Sequence, residues 1–237
     1  MRTTPAQRTL QRKLAAQASA AAPHGGELEG TAYELMLAQL ADHRRKLKDI
    51  QSVERKIQAK REFLPEYDAW VDGALSAGAG AADLVLTTVM VWHIDAGNYA
   101  RALQIAVYAL AHDLPMPDQY ERDLPTVLID EFGVAAITGA MSRGDALELL
   151  PRVLEATQGR DAPDQARAKL YKALGYALIG KSIAADVDYE SAPPAPEACR
   201  TAAAHLARAL LLDERVGVKK DIERLERHLK KVAPPGA

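Results

Sequence analysis

The octapeptide GYALIGKS, residues 175–182, has the spacing G-x-x-x-x-G-K-[ST] of a phosphate-binding loop. In such loops a buried strand leads into the glycines, and a helix that begins at the Lys-Ser pair directs backbone N–H groups at the phosphates. The residues before this octapeptide instead have helical periodicity, with leucines on one stripe. We therefore predict a helix that ends at Gly180, with Lys181 near its C-terminal dipole, and we do not expect an ATPase.

A second pattern that could do chemistry is the acidic pair Asp130 and Glu131, which ends the run VLIDE. Such pairs often hold Mg²⁺ in enzymes that hydrolyse nucleotides, but there they follow the glycine loop, and here they precede it. A metal-dependent nuclease needs two or three carboxylates at the scissile phosphate. Adjacent helix residues point about 100° apart, so this pair would need help from ligands elsewhere. Asp130 and Glu131 are candidate catalytic residues, and any metal stays unknown.

A basic stretch, HRRKLKDIQSVERKIQAKR at residues 43–61, carries eight Lys/Arg and two Asp/Glu. Two acids cannot neutralise eight bases within a helix. Two interpretations stay open: the solvated face of a coiled coil, or a surface that follows nucleic-acid phosphates with strongly salt-dependent affinity. No aromatic residues alternate with the bases, which favours a duplex over single strands. The predicted DNA-binding residues are Arg8, Arg12, Lys13, Arg44, Arg45, Lys48, Arg55, Lys56, Lys60 and Arg61.

The basic stretch lies in a segment that has no Gly or Pro between residues 31 and 64. This segment predicts one helix, about 45 Å long, with apolar residues in a 4-3 heptad spacing typical of coiled coils. We expect this seam to hold subunits or the next helix together. The seam residues are Met36, Leu40, Leu47, Ile50, Ile57 and Leu64. Residues 1–30 are rich in Ala and Gln, and we expect a flexible basic arm there that becomes helical on contact with a partner.

The rest of the chain predicts consecutive helices joined by turns that contain Gly or Pro. LVLTTVMVW, residues 84–92, has strand propensity, but no partner strands lie nearby, so we predict a buried helix. Residues 98–112 and 197–213 place small side chains as tetratricopeptide-like helical hairpins do. The predicted fold class is all-α. The predicted segments are a flexible arm at 1–30, a long basic helix at 31–64, a central helical domain at 65–158 and a helical hairpin region at 159–237.

Composition and charge narrow the class of protein further. The single cysteine, Cys199, excludes an internal disulfide framework and fits a reducing compartment. The sequence has no signal-peptide core and no apolar run long enough to span a bilayer, so we expect a cytoplasmic protein with no membrane partner. Histidines at i, i+4 and C-x-x-C motifs are absent, which leaves zinc unsupported. Residues 1–64 hold 12 Lys/Arg and 7 Asp/Glu, so a basic N-terminal part should meet something anionic.

Five segments, spread over most of the chain, resemble segments that occur in the same order in one known protein family. They are TTPAQR (3–8), YELMLAQL (33–40), LKDIQSVERKIQAKREFLPEYDAWVDG (47–73), LVLTTVMVWHIDAGNYARALQIAVYALAHDLPMP (84–117) and GVKKDIERLERHL (217–229). With these segments the chain resembles the small-terminase family of tailed phages and prophages with cohesive DNA ends. The resemblance implies a homo-oligomer in the bacterial cytoplasm that binds the cohesive-end site of double-stranded phage DNA. It also implies a partner, the large terminase subunit, that carries the packaging ATPase.

The resemblance leaves the location of DNA cleavage open. The family label attributes the cohesive-end cut to this subunit, although the large subunit could make it instead. No cofactor is evident, and Mg²⁺ is expected only if the endonuclease activity resides here. No helix-turn-helix is found near the N-terminus, so the element that reads bases stays open. The alternative from another class is a non-catalytic helical-repeat scaffold that binds the large subunit or other proteins and never touches DNA.

Overall fold

The computed structural model describes residues 4–22, 24, 26, 28–117 and 120–232, and its regular elements there are all helices. The all-α prediction is confirmed for this part of the chain, and predictions about the remaining residues lie outside it. A 3₁₀ turn, Leu64–Glu66, follows the third helix. The helices are α1 Pro5–Ala21, α2 Thr31–Asp49, α3 Val53–Phe63, α4 Asp68–Ala77, α5 Leu84–Asp95, α6 Tyr99–Ala111, α7 Leu124–Thr138, α8 Arg143–Ala156, α9 Asp164–Ile179, α10 Pro196–Leu212 and α11 Lys219–Val232.

The chain divides into two compact units, Met1–Leu124 (unit 1) and Pro125–Ala237 (unit 2). The predicted boundaries after residues 30, 64 and 158 differ from this one, and the functional division that they describe stays a prediction. Within the described ranges, none of the helices combines the length and the apolarity that crossing a lipid bilayer requires.

The expected flexible arm is a helix, α1, which packs against α4 in unit 1. Thr4 and Gln7 form a capping box: the Thr4 hydroxyl accepts from the Gln7 N–H at 3.3 Å, and the Gln7 side chain accepts from the Thr4 N–H at 2.7 Å. A Cβ added at Gly73 of α4 would lie 2.6 Å from the Cβ of Ala15. The Ala-rich composition therefore serves close helix packing, and the prediction of a flexible arm is wrong for these residues.

The predicted single long helix is two helices, α2 and α3, separated by residues 50–52. Ile50 is extended, with φ −88° and ψ 124°. The Ser52 side chain accepts from the Arg55 N–H at 3.3 Å and so caps the start of α3. A serine that bonds to nearby backbone competes with helix continuation, which explains the break without Gly or Pro.

The break also divides the predicted heptad seam. Met36, Leu40, Leu47 and Leu64 are buried inside unit 1, whereas Ile50 and Ile57 are only partly buried. Four of the six seam residues thus contact neighbouring helices of their own unit. The prediction of one continuous coiled-coil-like helix is wrong, and a role of the seam in oligomerisation stays a prediction.

Helix α5 lies in the centre of unit 1, and ten of its residues are buried, as predicted for a buried helix. The Asp83 carboxylate caps α5 by accepting from the N–H groups of Val85 at 2.9 Å and Leu86 at 3.1 Å. It also accepts from the Trp70 indole N–H at 2.8 Å. Burial raises the pKa of Asp83 to about 6, because no cation offsets the loss of solvent around its charge.

Aromatic contacts fix the angle between α2 and α3. The His43 ring of α2 stacks on the Phe63 ring of α3, with centroids 3.9 Å apart and an interplanar angle of 6°. His43 Nδ1 lies 2.8 Å from the Tyr67 hydroxyl oxygen. These buried contacts hold the ends of both helices, and the bases between them, in one arrangement.

In unit 2, α9 packs closely against α10, and α11 packs against α10. Gly175 permits the close approach, since a Cβ there would lie 2.7 Å from a methyl carbon of Leu206. Helix α9 continues to Ile179 and ends at Gly180, which has the left-handed conformation with φ 71°. The predicted C-cap is thus confirmed. The tetratricopeptide-like character of residues 98–112 and 197–213 stays a prediction.

Candidate nucleic-acid interface

Five predicted DNA-binding residues lie at the bend between α2 and α3, which we call the basic bend: Arg44, Arg45, Lys48, Arg55 and Lys56. All but Lys56, which is partly buried, are exposed. Arg45 forms an ion pair with Asp42 at 3.1 Å. Within the described ranges, the other four form no ion pair. With five bases and two exposed acids, Asp49 and Glu54, the bend presents an excess of positive charge.

Asp42 pairs with two bases, one in the basic bend and one beside it. Its carboxylate bonds Lys46 at 2.7 Å as well as Arg45, and the Lys46 hydrogen bond is the main reason why the pKa of Asp42 is lowered. Because both cations and the carboxylate are well exposed, these pairs contribute little to stability.

Lys60 and Arg61, also predicted to bind DNA, have a different environment from the basic bend. Lys60 forms an ion pair with Asp95, and its side chain is only 18% exposed. The Arg61 Nε–H donates to the Ala96 carbonyl oxygen at 3.0 Å. Both residues therefore fasten α3 to the C-terminal end of α5, and their charge is at least partly used inside unit 1.

Arg8, Arg12 and Arg61 come together in a cleft of about 1240 Å³ between α1, α3, α4 and α6, which we call the arginine cleft. Arg101 of α6 also lines it. Asp72 accepts from Arg12 at 3.1 Å and from Arg101 at 2.6 Å. The acids that line this cleft are Glu62, Glu66, Asp68 and Asp72. Four acids face four arginines, so the cleft is electrically balanced.

Asp68 is the cleft carboxylate whose protonation is most affected. Burial raises the pKa of Asp68, against the opposing effect of the Arg101 and Arg8 guanidinium groups, and the neighbouring charge of Asp72 raises it further. Lys13, predicted as part of the same surface, is exposed on α1 and does not line the cleft.

The arginine cleft adjoins the surface of α3. Arg61 lines the cleft and also a shallow depression on α3 that includes Arg55. Exposed bases thus run from the basic bend along α3 to the cleft.

Sequence reasoning missed Arg101, Asp68 and Asp72. One signal was available: Arg101 is the single Lys or Arg between residues 62 and 121, inside a strongly apolar part of the chain. A lone base in such a segment indicates a specific partner. Its actual partner, Asp72, lies 29 residues away and could not be identified without the fold.

The candidate catalytic pair lies on α7 in unit 2. Lys169 donates to the Asp130 carboxylate at 2.6 Å, and both Asp130 and Glu131 are partly buried. Across the residues that the structure describes, no group of three or more His, Cys, Asp or Glu side chains is arranged to hold a metal ion. The described residues thus give this pair no third protein ligand, and we derive no catalytic step through a metal.

The lysine of the glycine octapeptide also has a structural environment. Lys181 forms an ion pair with Asp221 of α11 and lies 3.6 Å from the Asp186 carboxylate. Its ammonium group is 5.2 Å from the centre of the Tyr176 ring. No strand precedes the octapeptide, since residues 164–179 are helical. The arrangement has neither the strand nor the free lysine of a nucleotide-binding loop.

Comparisons with known proteins agree with the sequence resemblance. The model of a family described as phage small terminase subunit matches residues 37–165, which include the basic bend and α4 to α8. The terminase, endonuclease subunit of Escherichia phage P2 is 43% identical to this chain, and the match covers 98% of this chain and 88% of the phage P2 protein. No solved structure matches significantly.

Proposed function

Because the chain belongs to the phage small terminase subunit family, we propose that it binds the cohesive-end site of concatemeric phage DNA and starts genome packaging. In this role it works in the cytoplasm of the host bacterium, together with a large subunit that carries the packaging ATPase. The environment of Lys181 supports this division of labour, because its octapeptide lacks the geometry of an ATP site.

The observation that carries the proposal is the uncompensated charge of the basic bend. Arg44 and Lys48 at the end of α2 are exposed, and so is Arg55 at the start of α3. Only residues 50–52 separate the two helices, so these bases flank one short connection. Phosphate contacts of this kind position a duplex without reading its sequence.

We further propose that the chain acts as a homo-oligomer. Ile50 and Ile57 are the seam residues that unit 1 does not fully bury; Ile50 lies two residues after Lys48, and Ile57 follows Lys56. An oligomer would repeat the basic bend and raise the affinity for DNA by avidity, without better individual contacts.

Fluorescence anisotropy with a cohesive-end duplex and an unrelated duplex of equal length, in a salt series without Mg²⁺, tests the proposal. We expect both duplexes to bind with steep salt dependence and the cohesive-end duplex to bind more tightly. Changing Arg44, Arg45 and Lys48 together to Glu should weaken binding equally on both duplexes. The slope of log K against log[salt] should become shallower by about 3, at about 0.9 for each lost contact.

A matched control reverses three exposed bases elsewhere: Arg152→Glu, Arg200→Glu and Arg208→Glu together. It changes the net charge by the same amount and should leave the slope nearly unchanged, since separated surface charges are screened at physiological salt. If the wild-type protein binds neither duplex at low salt, the proposal fails and the scaffold alternative replaces it.

The name of the phage P2 relative favours a second candidate activity, cleavage of DNA. If this subunit makes the cut, the purified protein should nick a plasmid that carries the cohesive-end site when Mg²⁺ is present. Asp130→Asn with Glu131→Gln should then abolish nicking while the melting temperature shows a folded protein. Nicking that survives this change places the active site elsewhere, and the absence of nicking in the wild type shows that this subunit does not cut alone.

A further inference from the structure

The outward face of α11 in unit 2 is strongly basic. Unit 2 as a whole contains 16 Lys/Arg and 16 Asp/Glu, but α11 alone contains six Lys/Arg and three Asp/Glu. One of its acids, Asp221, is buried, so two acids remain to face the solvent. The six bases are all exposed: Lys219, Lys220, Arg224, Arg227, Lys230 and Lys231.

The inward face of α11 fixes which side the helix presents. Leu225 is fully buried, and Ile222 and Leu229 pack partly buried against the core of unit 2. The Asp221 carboxylate accepts from the Tyr176 hydroxyl at 2.8 Å and forms an ion pair with Lys181. Since Lys181 compensates Asp221 internally, this acid does not reduce the positive charge of the outward face.

Four of the bases form a line along the helix, which we call the α11 stripe: Lys220, Arg224, Arg227 and Lys231. They recur at i, i+4, i+7 and i+11, so they lie on one side of the helix over about 16 Å. Duplex DNA carries one phosphate per strand for about every 3.4 Å of its helix axis. A stripe of this length can therefore follow several consecutive phosphates.

Within the described residues, most of the α11 stripe has no ion-pair partner. Arg224 lies 3.4 Å from the Asp186 carboxylate, but both side chains are about half exposed or more, so this pair is weak. The described part of the chain offers no ion pair to Lys220, Arg227 or Lys231. The charge is thus available to an external anion, as it is at the basic bend.

Resting on the proposed DNA-packaging role, we propose that the α11 stripe is a second contact for the phosphate backbone of duplex DNA. DNA binding by this chain is then bipartite, with one basic surface in each compact unit.

Two other occupants fit the stripe less well. A membrane-surface helix needs a free apolar face, and the apolar face of α11, made of Ile222, Leu225 and Leu229, packs inside unit 2. A stable protein interface needs apolar or aromatic residues at its centre, and the α11 stripe consists of Lys and Arg with Glu223 and Glu226 beside it. An extended, negatively charged duplex matches the stripe in charge and in length.

The test compares salt slopes of the full chain on one unrelated duplex by fluorescence anisotropy. Changing Lys220, Arg227 and Lys231 together to Glu should make the slope of log K against log[salt] shallower by about 3. The triple change of Arg152, Arg200 and Arg208 to Glu, with the same change in net charge in the same unit, should alter the slope by less than about 1. When the α11 change is combined with the triple change at the basic bend, the slope should become shallower by the sum of the two separate effects.

The outcomes separate this inference from the proposed function. If the wild type binds DNA and the α11 variant keeps the full slope, the α11 stripe does not contact DNA, and the proposed function still stands. If the wild type binds no DNA, both fail. If the reversed variant does not fold by circular dichroism, the neutral change of the same three residues to Gln gives the same test. An unchanged slope combined with lost binding of the large subunit would assign the stripe to a protein contact and overturn the inference.

Discussion

The basic bend and the glycine octapeptide are both sequence patterns that contain basic residues, but the charge at each has different surroundings. At the basic bend, Arg44 and Lys48 are exposed and have no acidic partner within the described residues. At the octapeptide, Lys181 is only 17% exposed and pairs with Asp221, which is 9% exposed. The comparison teaches that a base is available to an external anion when no acidic side chain of the protein already pairs with it. Spacing in the sequence does not distinguish the two cases.

The largest effect that this comparison predicts concerns Lys181. Changing Lys181 to Met leaves the Asp221 carboxylate buried without its cation, and we expect a loss of about 3 kcal/mol in the free energy of unfolding. DNA affinity should stay unchanged. Urea denaturation and anisotropy measure the two quantities. As a control, Arg200→Ala removes an exposed pair with Glu197 and should cost less than about 0.5 kcal/mol. A Lys181 variant of normal stability that fails to bind DNA would break the comparison.

A second prediction sharpens the contrast between buried acids in the two units. Asp221 has a cation, whereas Asp83 has only N–H donors, and burial raises the pKa of Asp83 to about 6. Between pH 4 and pH 6 the folded protein keeps a proton on Asp83 that an unfolded carboxyl has lost. The stabilisation from Asp83 is therefore greatest below pH 4 and is lost as the pH rises through 6.

The change Asp83→Asn removes this titration. Relative to the variant, the free energy of unfolding of the wild type should fall by about 2.5 kcal/mol between pH 4 and pH 7. Urea denaturation at several pH values measures the difference. His93, whose pKa burial lowers to about 4, titrates in the opposite direction, but it is present in both proteins and cancels. A constant difference across this range would mean that Asp83 keeps an ordinary pKa.

The same contrast shows how far the sequence could predict the fold. Apolar periodicity and Gly- or Pro-marked turns were sufficient for the central helices, including the buried α5. The break between α2 and α3 was missed, because the Ser52 cap is a single local hydrogen bond and not a composition signal. The packing of α1 was missed because it depends on Gly73 of α4, 58 residues from Ala15. Contacts between distant small residues have no local signature.

The candidate site, like the fold, could be predicted only in part from the sequence. Charge density located the basic bend, since eight bases with two acids in 19 residues exceed what one helix can pair. It did not separate Arg44 from Lys60, because the partner of Lys60 is Asp95, which another helix supplies. It also missed the α11 stripe. There, Asp221 reduces the apparent charge in the sequence, although Lys181 compensates it in the fold.

A third prediction divides the basic stretch itself. Lys60→Met removes the ion pair with Asp95, which is partly exposed at 38%, and we expect a loss of about 1 kcal/mol in the free energy of unfolding. The salt slope of DNA binding should change by less than about 1, because the Lys60 charge is already compensated. Urea denaturation and anisotropy on one sample test both statements. A slope change as large as that of a basic-bend residue would place Lys60 at the DNA as well.

The smallest effect on stability is expected at the basic bend, where the effect on DNA binding should be easy to measure. Arg44→Ala with Lys48→Ala removes two exposed bases that have no ion pair within the described ranges, so the free energy of unfolding should change by less than about 0.5 kcal/mol. The same variant should make the salt slope shallower by about 2, because each residue neutralises one phosphate. Arg152→Ala with Arg208→Ala is the matched control for charge. Loss of slope without loss of stability is what an uncompensated charge predicts, and the Lys181 variant should show the reverse. A variant of Arg44 and Lys48 that keeps the wild-type slope would leave the basic bend as the solvated exterior of two helices.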